Sequence, residues 1–192
     1  MSQPRHEPMP MTPEEFLAWE ARQELKWEFD GFQPVAMTGG SVAHSRIQGG
    51  LITALNNRLR GSSCQPYGPD VRVPIPGGRY RYPDALVVCR PVRPDAVEVP
   101  DPVVLFEVLS GGTAHTDRVV KLREYRSVPS VRRYVMLEQD EALATVVART
   151  ETGWSIDQVD AAGTLALPEI GVEIPLAELY EGIGFEAGSA QG

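Results

Sequence analysis

Residues 103–113 read "VVLFEVLSGGT". Apolar side chains at Val103, Val104, Leu105, Phe106, Val108 and Leu109 surround a single glutamate, Glu107. A short apolar run rich in β-branched residues and closed by Gly-Gly reads as a strand buried on both faces. Taking an unpaired carboxylate out of water costs several kcal/mol even after the protein relaxes. Glu107 therefore requires a cation, a metal ion or a proton, and the neighbouring sequence is where such a partner is sought.

Upstream, "RYPDALVV" (81–88) places Asp84 at the head of a second apolar strand. Alternate residues of a strand share a face, so Glu107 goes with Leu105 and Leu109, and Asp84 with Leu86 and Val88. If the two strands pair, both carboxylates converge, and they repel unless a cation lies between them. Magnesium, a hard ion held by one or two carboxylates plus phosphate oxygens, suits that place. Downstream, Asp117, Lys121 and Tyr125 fall four apart on one face of a helix. Lys121 is the only lysine after Lys26 and follows Glu107 by a short loop. Two carboxylates and a lysine are what metal-assisted phosphodiester hydrolysis uses, the lysine orienting water or stabilising developing charge. The same spacing also accommodates a plain buried ion pair between Glu107 and Lys121, with Asp84 capping a turn after Pro83.

Other residues say less. His44 opens a helix and reads first as a core or capping histidine. His6, His44 and His115 form no zinc spacing. "LSGGT" (109–113) is strand, glycine loop and helix start, which can cradle a phosphate, but it lacks the Gly-Lys-Ser/Thr ending of a Walker motif. Ser110 is in no Gly-x-Ser-x-Gly elbow. Glu28, in "WEFDG" (27–31), stands between aromatics beside a turn.

The 192 residues are 42% hydrophobic and 23% charged, with a net charge of −8. That fits one globular domain and argues against a general nucleic-acid coat protein. The charge is segregated: residues 34–139 carry fourteen basic and nine acidic side chains, whereas 140–192 carry one and ten. An acidic frame around a mildly basic, arginine-rich centre leaves room there for a polyanion. No apolar run approaches the ~20 residues of a membrane span, and no signal core opens the chain. A cytoplasmic protein follows, with Cys64 and Cys89 as free thiols; a single disulfide is the alternative.

Residues 1–11 and 185–192 read as disordered tails around one domain, 12–184. "TPEEFLAWEARQELKW" (12–27) opens with a capping box, Thr12 with Glu15, and Pro13 at the first helical position, predicting a helix to about Glu24. A hairpin turns at Asp30-Gly31. A second helix starts at Ser41, carries Ile47, Leu51, Leu55 and Leu59 on one face, and stops at Gly61. Strands are expected over "CQPYGPDVRVPI" (64–75), "RYRYPDALVVC" (79–89), "VVLFEVLS" and "VRRYVMLEQ" (131–139), the last two separated by a helix that Pro129 ends. A hairpin at Thr152-Gly153 follows, then a short strand and a helical turn. The order predicts an α+β fold, α/β-like, with one mixed sheet covered by helices.

Taken together, several motifs resemble the Uma-type "putative restriction endonuclease" family. They are Glu28-Phe29-Asp30-Gly31; Ser41 with His44; Pro83-Asp84; and Glu107-Val108-Leu109-Ser110 followed by Thr113, Asp117, Lys121 and Tyr125. The resemblance runs from about Thr12 to Leu179. It implies the PD-(D/E)xK nuclease fold, a restriction-endonuclease-like mixed central sheet flanked by helices. By that analogy Asp84 and Glu107 are ligands of Mg2+ (or Mn2+), Glu28 is a helper carboxylate, and Lys121 replaces the lysine that usually stands where Leu109 is. "SGGT" replaces the family's Ser-Pro-Ser-Thr, and Glu138 in "YVMLEQD" stands where an aspartate is usual. The expectation is a metal-dependent DNA endonuclease with catalytic Asp84, Glu107, Lys121 and Glu28, and with His44, Thr113, Asp117 and Tyr125 as candidate substrate-binding positions. It would use no organic cofactor and no membrane. The alternative is a catalytically silent nuclease fold that binds DNA or protein, as a homodimer.

Overall fold

The computed structural model describes residues 10–37, 39–110, 112 and 114–185. Of the expected tails, 1–11 and 185–192, all but residues 10, 11 and 185 lie outside the described residues, as does Thr113. The first helix, α1 (Pro13–Glu20), has the expected capping box: the Thr12 side chain accepts from the Glu15 N–H at 3.2 Å, and Glu15 accepts from the Thr12 N–H at 2.7 Å. It closes four residues earlier than its pattern suggested. The hairpin β1 (Trp27–Phe29) and β2 (Pro34–Ala36) follows. Asp30 holds its turn by accepting from the Phe32 and Gln33 N–H groups, both at 2.8 Å.

The long helix α2 (Val42–Leu59) is capped by Ser41 and buries Ile47, Leu51, Leu55 and Leu59, as the four-residue recurrence predicts. Each of the next two expected strands is in fact two. Residues 64–75 give β3 (Gln65–Tyr67) and β4 (Val73–Ile75); residues 79–89 give β5 (Arg79–Arg81) and β6 (Ala85–Val88). Pro83 explains the second break, because it brings no N–H to a ladder and constrains the residue before it. The two halves belong to different sheets, ordered β2-β1-β5-β4 in the first and, in the second, running through β6 beside β3.

The apolar run around Glu107 is β7 (Val104–Leu109), with all six residues buried. It pairs antiparallel with β6 and parallel with β8 (Arg133–Glu138). The hairpin β9 (Leu143–Arg149) and β10 (Trp154–Asp160) completes a six-stranded mixed sheet, β10-β9-β8-β7-β6-β3. The chain crosses from β7 to β8 through a π-helical segment, Thr116–Lys121, and α3 (Leu122–Ser127). At the end, the single expected strand is a hairpin of β11 (Thr164–Leu167) and β12 (Val172–Pro175), followed by α4 (Leu176–Leu179). The fold is α+β with a central mixed sheet flanked by few helices.

The sheet separates two cores. Val104, Phe106 and Val108 face α2, the terminal hairpin and α4. Leu105 and Leu109 face Tyr125, Val128, Val131 and Tyr134. The free-thiol expectation is corrected: Cys64 and Cys89 form a disulfide. The cause is register. Gln65 lies opposite Val88 in the antiparallel β3–β6 pair, which puts Cys64 and Cys89 opposite each other at the next position. Among the described residues no helix is long and apolar enough to cross a membrane.

Candidate active site

The antiparallel register that pairs Ala85 with Phe106 brings Asp84 opposite Glu107 where the β6–β7 ladder opens. A cleft of about 250 Å³ forms there. Glu28, His44, Asp84, Glu107, Asp117 and Lys121 all line it. Of the residues singled out from sequence, Tyr125 lies just behind, and Thr113 is outside the described residues.

Glu107 is only 4% exposed, and its partner is now visible. Lys121 Nζ lies 2.9 Å from Glu107 Oε1, 3.1 Å from Glu28 Oε1 and 3.1 Å from Asp117 Oδ1. The Tyr125 hydroxyl donates to the same Glu107 Oε1 at 2.8 Å. The face of Asp117, Lys121 and Tyr125 thus meets the strand face of Glu107. Burial pushes the Glu107 carboxyl well above its usual range; the Asp84, Asp117 and Glu28 charges add to this and Lys121 opposes it. Burial works against the Lys121 ammonium, but Glu107, Glu28 and Asp117 outweigh it and hold the lysine protonated.

Asp84 is held from three sides. The Val108 N–H donates to Oδ2 at 2.7 Å, Gln48 Nε2 donates to Oδ1 at 3.2 Å, and His44 Nε2 lies 3.2 Å from Oδ2. His44 is therefore neither a core nor a capping residue. Ser41 caps α2, and the imidazole lies against Asp84 because α2 begins at the rim of the cleft. Its hydrogen bond to Asp84 raises the imidazole pKa above 6.5, against the effect of burial. A Cβ on Gly40 would come within 2.6 Å of this ring, so the glycine makes room for it.

Sequence reasoning missed a second layer. Arg81, 3% exposed, donates to Glu28 Oε2 at 3.0 Å and forks onto both Glu124 oxygens at 2.7 and 3.0 Å. The Tyr82 N–H also donates to Glu28, at 3.2 Å. Glu28 thus bridges Lys121 and Arg81, tying the small sheet to the π-helical segment. Glu124 carried a signal, standing three residues after Lys121 on the same helix face. An arginine within "RYRY" carried none. Glu138, noted for its unusual identity, pairs with Arg118.

The donors that face the cleft from β7 and from the head of β6 are carboxylate oxygens, the chemistry a hard divalent cation takes. Among the described residues no cluster of three or more His, Cys, Asp or Glu is gathered as a metal site. Asp84 and Glu107 offer two carboxylates, the number of protein ligands magnesium often takes when water and phosphate oxygens complete its shell.

Comparison with known proteins agrees with this architecture. The family model described as "Uma2: Putative restriction endonuclease" matches residues 13–177. "Uncharacterized protein slr1290" of Synechocystis sp. is 33% identical over 178 residues, 91% of this chain and 94% of that protein. "Uncharacterized protein sll1609" of the same organism is 26% identical over 133 residues, 67% and 75% of the two chains. A crystal structure of a "putative nuclease belonging to DUF820" from Anabaena variabilis superposes with a TM-score of 0.74 over 89% of this chain and 98% of that one. At 17% identity it shows the shared fold alone.

Proposed function

The chain belongs to the Uma2 "putative restriction endonuclease" family, and from that premise we propose that it is a metal-dependent endonuclease hydrolysing phosphodiester bonds in DNA. One observation carries the reading: Asp84, Glu107, Lys121 and Glu28, from four separate stretches of chain, line one cleft. Asp84 and Glu107 would hold Mg2+ or Mn2+. When bound, such an ion polarises a phosphate and lowers the pKa of its water.

The chain's own residues do the rest. The Val108 N–H and Gln48 fix the Asp84 carboxylate, so its direction is set before any ligand arrives. Tyr125 does the same for Glu107. Lys121 supplies a positive charge against the negative charge that develops on the phosphate oxygens in the transition state. Glu28, anchored by Arg81, keeps the lysine directed at the cleft. His44 lines the rim beside Asp84 and, when protonated, would add positive charge near a phosphate.

The second reading is a silent nuclease fold that binds DNA or protein, as a homodimer. What favours it is the extent to which Lys121 is already engaged by three carboxylates. Plasmid DNA incubated with wild type and Asp84→Ala, with Mg2+ or EDTA, tests the proposal. Cleavage by wild type in Mg2+ alone supports it. DNA left intact by wild type in both Mg2+ and Mn2+ rejects it in favour of the silent fold.

A further inference from the structure

Lys121 has three ammonium protons, and three carboxylates from three elements stand around them: Glu28 on β1, Glu107 on β7 and Asp117 one helical turn away. The lysine is 7% exposed, and the carboxylates are 7%, 4% and 2% exposed. A cation position is therefore already built into the cleft, and it is filled by a side chain. Glu107 belongs both to that position and to the Asp84–Glu107 pair assigned above to a divalent ion.

We propose that Lys121 is the cleft's resident counterion and that a divalent cation competes with it for Glu107, so that loading the cation and releasing the lysine are one exchange. This rests on the reading that Asp84 and Glu107 hold the ion. Two positive centres a few ångströms apart repel, and with little water between them the repulsion is weakly screened. An ion arriving at Glu107 therefore meets an ammonium already 2.9 Å from Oε1. Lys121 is the member able to move, since its stem is four flexible carbons and it is not fixed by a planar fork. Glu107 is held by its strand and by Tyr125.

The local charge balance favours the exchange. Arg81 answers one oxygen of Glu28 and both of Glu124. Among the described residues, the cationic side chains that line the cleft beside Asp117, Glu107 and Asp84 are Lys121 and His44. With Glu107 ionised, these three carboxylates outnumber the two cationic side chains, and the excess attracts a second cation. A lysine loosened from Glu107 is next to the space a phosphate would enter, so its charge becomes available to substrate only when the ion is loaded. The same contact holds the apo cleft closed to nucleophilic chemistry and holds it folded.

The test is calorimetric titration of Mn2+ into wild type and Lys121→Met in the absence of DNA. The variant should bind Mn2+ about tenfold tighter or more, one factor of ten being a modest share of a removed unit charge. Lys121→Arg, which keeps the charge, should stay within about threefold of wild type. Should Lys121→Met fold only when Mn2+ is present, the comparison passes to Asp117→Asn against Asp117→Asn with Lys121→Met. There too the lysine-free protein should bind tighter. Equal or weaker binding without the lysine overturns the competition while leaving the two-carboxylate site standing. No heat in any of these proteins overturns both, and the magnesium part of the proposed function falls with them.

Discussion

Val104, Phe106 and Val108 leave β7 on one side, and Leu105, Glu107 and Leu109 leave it on the other. Both rows are buried. The first meets α2 and the terminal hairpin, where shape and apolar area decide the fit. The second meets the π-helical segment and α3, where a charge cluster interrupts the apolar packing. On the first face, losing a side chain leaves a void whose cost depends on volume. On the second, losing one leaves a charge without an answer, and the cost depends on which sign was removed. A core that is neutral to pH and salt thus lies one strand thickness from one that is not.

The largest effect should come from removing the cluster's only ammonium. Lys121→Met leaves Glu28, Glu107 and Asp117 facing one another and should cost about 3–5 kcal/mol in EDTA at pH 7, read from urea unfolding. With the cation gone, nothing opposes the burial that already pushes the Glu107 carboxyl up in the folded state. The lost stability is therefore recovered as pH falls into the carboxylate range and is lost again as pH rises through it. A deficit equal at pH 5 and pH 8 would show that the charged face behaves like the apolar one.

Leu51→Ala, on the other face, should cost about 2–5 kcal/mol. This deficit should not move with pH or salt, and Mn2+ affinity should be unchanged. If Leu51→Ala altered Mn2+ binding, the two faces would be coupled through β7, and the contrast between them would not hold.

Glu107→Gln should change stability by less than about 1 kcal/mol, because Lys121 keeps Glu28 and Asp117 and a strained carboxylate is removed. DNA cleavage should nevertheless be lost. A large drop in its urea midpoint, insensitive to Mg2+, would make Glu107 a structural anchor.

The smallest effect concerns the rim. Asp84 raises the His44 pKa, so this contact stabilises the fold fully below the ordinary value of 6.5. The contribution is lost as pH rises through the raised value. The ring is half-buried, so His44→Gln in EDTA should cost less than about 1 kcal/mol at pH 6 and nothing at pH 9. A loss that persisted at pH 9 would mean that the ring contributes by packing.

Much of this was legible because period and chemistry coincided. Apolar residues around Glu107 announced a buried strand, and the four-residue spacing of Asp117, Lys121 and Tyr125 announced the face that would meet it. Pro83-Asp84 marked the head of β6, although the proline also divided one expected strand between two sheets. The disulfide stood only as the alternative to free thiols, since it depends on a β3–β6 register that Cys64 and Cys89 do not themselves set. Arg81 was not legible for a similar reason. An arginine in a short strand is ordinary until folding brings Glu28 and Glu124, 53 and 43 positions away, to either side of it.

Those separations have a consequence for how the chain folds. Glu28 and Lys121, 93 positions apart, meet only after β1, β5, β7 and the crossover helix have all been assembled. Closing loops of that length costs entropy before any contact repays it. Until then each carboxylate remains hydrated and carries no strain. The cluster is therefore expected to be among the last parts of the molecule to dry out.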